Sequence, residues 1–163
     1  AERYDEMADY MANVGRGPEE LSAEERNFLS VAFKNAVGSR RAAWRMIASI
    51  EQRIKSKGNG EQAKYVKEYS QKLESELLKI CDTIIVLLDS SLIRTATTGE
   101  SKVFYLKMKA DYWRYIAEFS DGDSKTQAGR NARSAYEEAQ TVAEKDLVGT
   151  HPIRLGLALN YSV

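Results

Sequence analysis

The sequence predicts an all-α protein. Only two of its 163 residues are proline, Pro18 and Pro152, and both stand at predicted breaks between helices. Between the breaks, apolar residues recur at spacings of three, four and seven, which is typical of helices with one buried face. No alternating apolar and polar run of useful length predicts a strand, although residues 83–88 are ambiguous when taken alone.

Six helices are predicted along the chain. Their ranges are residues 2–14, 22–54, 61–92, 100–120, 124–146 and 152 to the end. Ser22 and Glu25 form a capping box at the start of the second helix, because each side chain can bond a free backbone N–H of the first turn. Pro152 opens the last helix, where proline is tolerated in the first turn. Glycines mark most of the turns between these segments.

The two long helices carry the stripes that we expect to form the core. In the second helix the predicted stripe is Phe28, Val31, Ala32, Ala36, Ala43, Ile47 and Ile50. In the third helix it is Leu73, Leu77, Ile80, Ile84, Leu87 and Leu88. Both helices are much longer than the average of about 11–12 residues. Such lengths favour an antiparallel array with an extended surface.

Composition describes one domain, residues 1–163, whose apolar content of 43% is sufficient for a core. Positive and negative side chains balance at 24 each, so the bulk charge favours neither nucleic acid nor an anionic membrane. No apolar run approaches the roughly 20 residues of a membrane span. The single cysteine, Cys81, excludes an internal disulfide and favours a reducing compartment. We expect a cytoplasmic protein, with the nucleus as an alternative.

Signatures of catalysis and of metal binding are missing from the sequence. His151 is the only histidine, so the usual zinc site of cysteines and histidines cannot form. Neither a glycine-rich phosphate loop nor a nucleophile elbow occurs. We therefore expect no enzyme activity, no cofactor and no metal. His151 is expected to make a local hydrogen bond at the start of the last helix, and Cys81 to be a buried structural residue.

Two predicted helices each present a row of charged residues on one face. On the second helix the row is Lys34, Arg41 and Arg45. On the fourth it is Lys107, Asp111, Arg114 and Glu118, with Tyr115 beside Arg114. The plainer interpretation is a pair of solvated faces with ion pairs inside each helix. Arginine beside tyrosine favours a phosphate site instead, because the guanidinium fork fits phosphate better than an ammonium group does.

A phosphoserine carries about −1.5 to −2 charges at neutral pH. The side chains that would match this charge and its acceptor oxygens are Lys34, Arg41, Arg114 and Tyr115. Asp111 and Glu118 are spaced to orient the arginines. The last helix could supply an apolar wall of Gly156, Leu159 and Val163. Asn160, beside that wall, offers a donor and an acceptor for a peptide backbone.

Six stretches carry a resemblance to a known family. They are ERNFLSVAFKN at 25–35, GSRRAAWR at 38–45, SIEQ at 49–52, ESKVFYLKMK at 100–109, DYWRY at 111–115 and THPIRLGLALN at 150–160. Over essentially its whole length the chain resembles the 14-3-3 proteins. The resemblance implies an antiparallel helical array with a concave amphipathic groove. It also implies homodimers or heterodimers with another family member, whose grooves bind phosphoserine or phosphothreonine segments of client proteins.

The resemblance assigns residues to each role. It makes Lys34, Arg41, Arg114 and Tyr115 the phosphate ligands. It adds Lys107 to the peptide groove of Gly156, Leu159, Asn160 and Val163. The implied dimer contacts are Arg3, Tyr4, Glu6, Ala43, Ile47, Ile50, Tyr69, Lys72 and Glu76. Ala43 stands where many relatives carry a phosphorylatable serine, so control of dimerisation at this position should be missing.

The chain also departs from the family pattern. Most of the family's first helix, its last two helices and its acidic tail have no counterpart, so we expect a domain that is incomplete at both ends. Two other functions stay open. A helical scaffold could bind partners independently of phosphate. An enzyme acting on the bound segment would need Asp111 or Glu118 as its base.

Overall fold

The computed structural model describes residues 2–57 and 60–162. Its helices are α1 (Tyr4–Gly15), α2 (Ala23–Lys57), α3 (Gly60–Leu87), α4 (Ile93–Thr95), α5 (Gly99–Phe119), α6 (Gly122–Asp146) and α7 (Pro152–Tyr161). A π-helical turn, Leu88–Leu92, joins α3 directly to α4. Within the described ranges there is no strand, and the predicted all-α class is confirmed. Among these helices, none combines the length and apolarity needed to cross a bilayer.

Side chains cap the starts of the helices where the sequence predicts them. The Ser22 N–H donates to Glu25 Oε2 at 2.8 Å and the Glu25 N–H donates to Ser22 Oγ at 3.2 Å, which confirms the capping box. At the start of α7, His151 Nδ1 accepts from the Ile153 N–H at 3.3 Å, so the predicted local bond is also confirmed. These caps end the preceding turns and let the next helix begin in a defined direction.

Contacts between neighbouring helices show how the array runs. The Trp44 indole donates to Glu74 and the Arg40 guanidinium donates to Glu76, so α2 and α3 are antiparallel. At the other end of the molecule, Gly99 at the start of α5 lies against Asp146 at the end of α6. These two helices are therefore antiparallel as well. A Cβ at Gly99 would overlap the Asp146 side chain, so this close approach requires glycine.

Helices α2 and α5 run in the same direction on either side of a groove. Near the start of both helices, the Arg26 guanidinium donates to Glu100 at 2.9 Å. Fifteen residues further along α2, Arg41 Nε donates to Glu118 at 2.8 Å. The charged faces predicted on these two helices consequently face one another along their length.

The core has two parts, with α5 between them. The larger part packs α1, α2, α3 and the π-helical turn against one side of α5. The smaller part packs the other side of α5 against the alanine stripe of α6 and Leu157 of α7. Cys81 is fully buried in the larger part, and its burial raises the pKa of the thiol to about 12, in agreement with the predicted structural role.

The predicted stripe on α3 is confirmed, whereas the stripe predicted on α2 is partly wrong. The buried apolar residues of α2 are Leu29, Ala32, Phe33, Ala36 and Val37. Phe28 and Val31, which we expected in the core, are each 46% exposed, and Ile50 is 36% exposed. The reason is that α2 carries apolar residues on adjacent faces, and spacings of three and four fit either face equally well.

Candidate functional site

A polar cavity of about 250 Å³ lies between α2, α5 and α7. Its charged lining residues are Lys34 of α2 and Lys107, Asp111 and Arg114 of α5. Three cations therefore face one carboxylate in this cavity. Such an excess of positive charge in a concave site attracts anions.

The ring of Tyr115 brings the predicted phosphate residues together. The Arg41 guanidinium lies 3.9 Å from the ring centroid, and the Arg114 guanidinium lies 5.0 Å from it. Tyr115 and Lys34 both line the cavity. Cation–π contacts at these distances hold the two arginines in place. The four residues come from two helices: Lys34, Arg114 and Tyr115 line the cavity, and Arg41 packs on the ring of Tyr115.

Glu118 of α5 holds two of the predicted cations of α2, Arg41 and Arg45. It accepts hydrogen bonds from Arg41, at 2.8 Å, and from Arg45. Burial opposes the charged form of Glu118, but the hydrogen bonds from the two arginines outweigh it and lower the pKa of the carboxyl. Glu118 therefore stays ionised at neutral pH and fixes the direction of the Arg41 side chain.

Asp111, another residue that lines the cavity, is only 7% exposed. Its carboxylate accepts from Lys107 Nζ at 3.0 Å and from Asn160 Nδ2 at 2.9 Å. It also accepts from the Tyr136 hydroxyl. Arg114, which we expected Asp111 to orient, forms an ion pair with it through Nη2 at 3.8 Å, a distance too long for a direct hydrogen bond. Asp111 thus holds α5, α6 and α7 together around the cavity.

Tyr136 of α6 is a site residue that the sequence reasoning missed. It is 3% exposed, and its hydroxyl also accepts from Arg114 Nε at 3.3 Å. Its ring stacks on Tyr161 of α7 with centroids 5.1 Å apart. A signal was present, because Tyr136 is the one large residue in the buried stripe of α6 and a buried tyrosine hydroxyl needs a partner. The sequence does not show which partner that is.

The predicted groove residues of α7 lie at different depths. Asn160 lines the cavity beside Lys107. Gly156 lies beside Lys107, and a Cβ at this position would be 3.6 Å from Lys107 Cε, an ordinary van der Waals contact. Leu159 is 68% exposed and free to contact a ligand. Val163 lies outside the described residues.

The implied dimer residues lie at the start of α1, in the second half of α2 and around the middle of α3. Arg40 connects these three segments through its hydrogen bonds to Asp5 and Glu76. Ala43 and Ile47 are half-buried, whereas Ile50 and Tyr69 are exposed. The charged members Arg3, Glu6 and Glu76 make ion pairs within the chain: Arg3 with Glu6, and Glu76 with Arg40. Tyr4 is half-buried and Lys72 is exposed.

Metal coordination finds no support in the geometry. In residues 2–57 and 60–162, no three side chains among His, Cys, Asp and Glu are grouped so that they could hold a metal ion. The polar groups that line the cavity include cations, a carboxylate, a phenol and an amide, and the cations, the phenol and the amide can donate hydrogen bonds to an oxyanion.

In comparisons with known proteins, one family model and its members match the whole length of the chain. The family model described as 14-3-3 protein matches residues 1–163. The 14-3-3 protein 2 of Solanum lycopersicum is 58% identical, over 100% of this chain and 65% of the relative. The 14-3-3-like protein F of Nicotiana tabacum is 57% identical, over 100% and 64%. The 14-3-3 family protein artA of Aspergillus flavus is 58% identical, over 100% and 68%.

The match has one further feature. The chain spans about two thirds of the length of the curated relatives that it resembles. All of its own residues are included in the match with the family model. The helical array, the cationic cavity and these matches together show that the chain belongs to the 14-3-3 family.

Proposed function

We propose that the chain is a non-catalytic adaptor that binds phosphoserine or phosphothreonine segments of client proteins and regulates their conformation, location or interactions. The single observation that carries the proposal is the packing of Arg41 and Arg114 on the ring of Tyr115, which lines the same cavity as Lys34. Family membership supports an adaptor role. The proposed site lies in the groove between α2, α5 and α7.

Charge balance supports phosphate as the ligand. Arg41 is neutralised in part by Glu118, and Lys107 by Asp111. Lys34 is exposed and makes no ion pair or hydrogen bond with the described residues. It would be the most available cation for a group that carries about −1.5 to −2 charges. Charge-assisted hydrogen bonds contribute about 1.5–3 kcal/mol each, so a few of them can distinguish a phosphorylated segment from its unmodified form.

The state of Asn160 supports a contact to the peptide backbone. A carboxylate only accepts hydrogen bonds, so the contact with Asp111 requires that Asn160 point its Nδ2 at Asp111. The Oδ1 atom is then left to accept a peptide N–H. We propose that Asn160 binds the main chain of the client in this way. Leu159, and by the resemblance Val163, would contact its apolar side chains.

Dimerisation is a further part of the proposal. Ile50 and Tyr69 expose apolar surface in the region formed by α1, α2 and α3, and Met46 beside them is 65% exposed. A homodimer, or a heterodimer with another family member, would cover this surface. Sedimentation velocity of the chain alone should then show a species of twice the monomer mass that dissociates on dilution. A single monomer boundary at high concentration would contradict the homodimer.

Phosphate recognition is tested with a pair of peptides that differ only in one phosphoserine. We expect the chain to bind the phosphorylated peptide at least tenfold more tightly, as measured by fluorescence anisotropy at fixed ionic strength. Equal binding of the two peptides would favour the alternative function, a helical scaffold that ignores phosphate. Mass spectrometry of the peptide after incubation checks for turnover, and loss or cleavage of the phosphopeptide would indicate an enzyme.

A further inference from the structure

The Tyr136 hydroxyl lies between two oppositely charged groups of α5. It donates to Oδ1 of Asp111 and accepts from Nε of Arg114 at 3.3 Å. Arg114 and Asp111 are three residues apart on the same helix, and their nearest atoms, Arg114 Nη2 and Asp111 Oδ1, are 3.8 Å apart. A side-chain pair with this spacing on a helix readily forms an ion pair with direct hydrogen bonds. Here the Tyr136 hydroxyl of α6 lies between the two groups, and Arg114 and Asp111 do not hydrogen-bond to each other.

The consequence is seen in the donors of Arg114. A guanidinium has five N–H donors in a planar fork. The one on Nε is used by Tyr136, whereas Nη1 and Nη2 make no hydrogen bond with the described residues. Arg114 also lines the cavity. Its terminal nitrogens are consequently available to grip an anion end-on.

We propose that Tyr136 is a positioning residue for phosphate: its hydroxyl keeps Arg114 from hydrogen-bonding directly to Asp111 and leaves both terminal nitrogens of that arginine for the ligand. The inference rests on the proposed function and adds a residue that lies outside the cavity lining. Burial and the nearby Asp111 charge raise the pKa of Tyr136, so the phenol keeps its proton and remains a donor.

Without this hydroxyl, we expect Arg114 to be lost as a phosphate ligand. In Tyr136→Phe, Nε of Arg114 and Oδ1 of Asp111 would both lose a partner while lying close together. The least costly repair is a direct pair between Arg114 and Asp111, because buried polar groups left without partners are unfavourable. That pair would neutralise Arg114 and turn its fork away from the cavity. The phosphate would then lose one of its cations, although the ring of residue 136 stays in the core.

The first test compares the two peptides above with the unmodified chain, Tyr136→Phe and Tyr105→Phe. Tyr105 is a matched control, because it is fully buried and its hydroxyl has no hydrogen-bond partner among the described residues. We expect Tyr136→Phe to bind the phosphopeptide roughly tenfold to hundredfold more weakly and the unphosphorylated peptide unchanged. Tyr105→Phe should bind both peptides like the unmodified chain. Thermal unfolding by circular dichroism verifies that each variant is folded.

A second test separates positioning from loss of packing. The variant Asp111→Asn removes the charge that would capture Arg114, and by itself it measures what the release of Lys107 contributes to binding. The Tyr136→Phe change should therefore weaken phosphopeptide binding less in the Asp111→Asn background than in the unmodified chain. A purely structural role would give the same loss in both backgrounds. That result, or a Tyr136→Phe variant as selective as the unmodified chain, would overturn this inference alone. Equal binding of both peptides by the unmodified chain would overturn the proposed function and the inference with it.

Discussion

Reversal of charge at Arg41 should abolish the preference for a phosphorylated peptide. The Arg41 guanidinium lies 3.9 Å from the ring centroid of Tyr115, which lines the cavity. Arg41→Glu would remove one cation and place a carboxylate beside Glu118 and the incoming phosphate. Loss of charge-assisted bonds and new like-charge repulsion together predict binding that is weaker by roughly hundredfold or more.

The measurement is the affinity of Arg41→Glu for the phosphoserine peptide and for its unphosphorylated twin. Only the first affinity should fall, so the two values should converge. Arg130→Glu is the matched control, since it changes the net charge equally at an exposed position of α6. We expect this control to keep its preference. If Arg41→Glu still prefers the phosphopeptide as strongly as Arg130→Glu does, the phosphate does not bind where we place it.

Lys34→Glu checks the same result without breaking an ion pair. Arg41 is held by Glu118, so its replacement also leaves a half-buried carboxylate with one partner fewer. Lys34 makes no ion pair with the described residues and is exposed. Its reversal should therefore leave the free energy of unfolding almost unchanged while weakening phosphopeptide binding. A loss in both variants points to the ligand rather than to the fold.

Local signals predicted most of the fold. The capping box of Ser22 and Glu25 and the proline at the start of α7 depend on residues a few positions apart, and the structure contains both. The stripe on α3 was predicted because its apolar residues lie on one face. The stripe on α2 was predicted only in part, because Phe28 and Val31 lie on a face next to the buried one, and only tertiary packing decides which of the two faces is buried.

In the candidate site, too, features that depend on local sequence were predicted and those that depend on tertiary packing were not. The rows on α2 and α5 were predicted from their spacing, and the structure places Arg41 and Arg114 against the ring of Tyr115, which lines the cavity with Lys34. The position of Tyr136 beside Arg114 depends on how α5 and α6 are aligned. That alignment is fixed by long-range contacts, such as the one between the two helices at Gly99, and no local pattern encodes it.

Truncation of Leu77 in α3 should cause a large loss of stability. Leu77 is 0% exposed and belongs to the larger core, to which α2 and α5 also contribute. Leu77→Ala removes buried apolar volume and leaves a cavity, which costs about 2–5 kcal/mol in the free energy of unfolding. Leu78, its neighbour on the same helix, is 42% exposed. Leu78→Ala should cost less than about 1 kcal/mol.

Urea denaturation of the two variants, followed by circular dichroism, measures this difference. The chemical change is the same in both, so the comparison isolates the effect of burial and tests which face of α3 is buried. Equal losses would contradict the packing of α3 against α2. We expect the substitution to affect the candidate site as well, because α2 carries Lys34 and Arg41 and packs against α3. Leu77→Ala should thus weaken phosphopeptide binding under mildly destabilising conditions, where Leu78→Ala still binds normally.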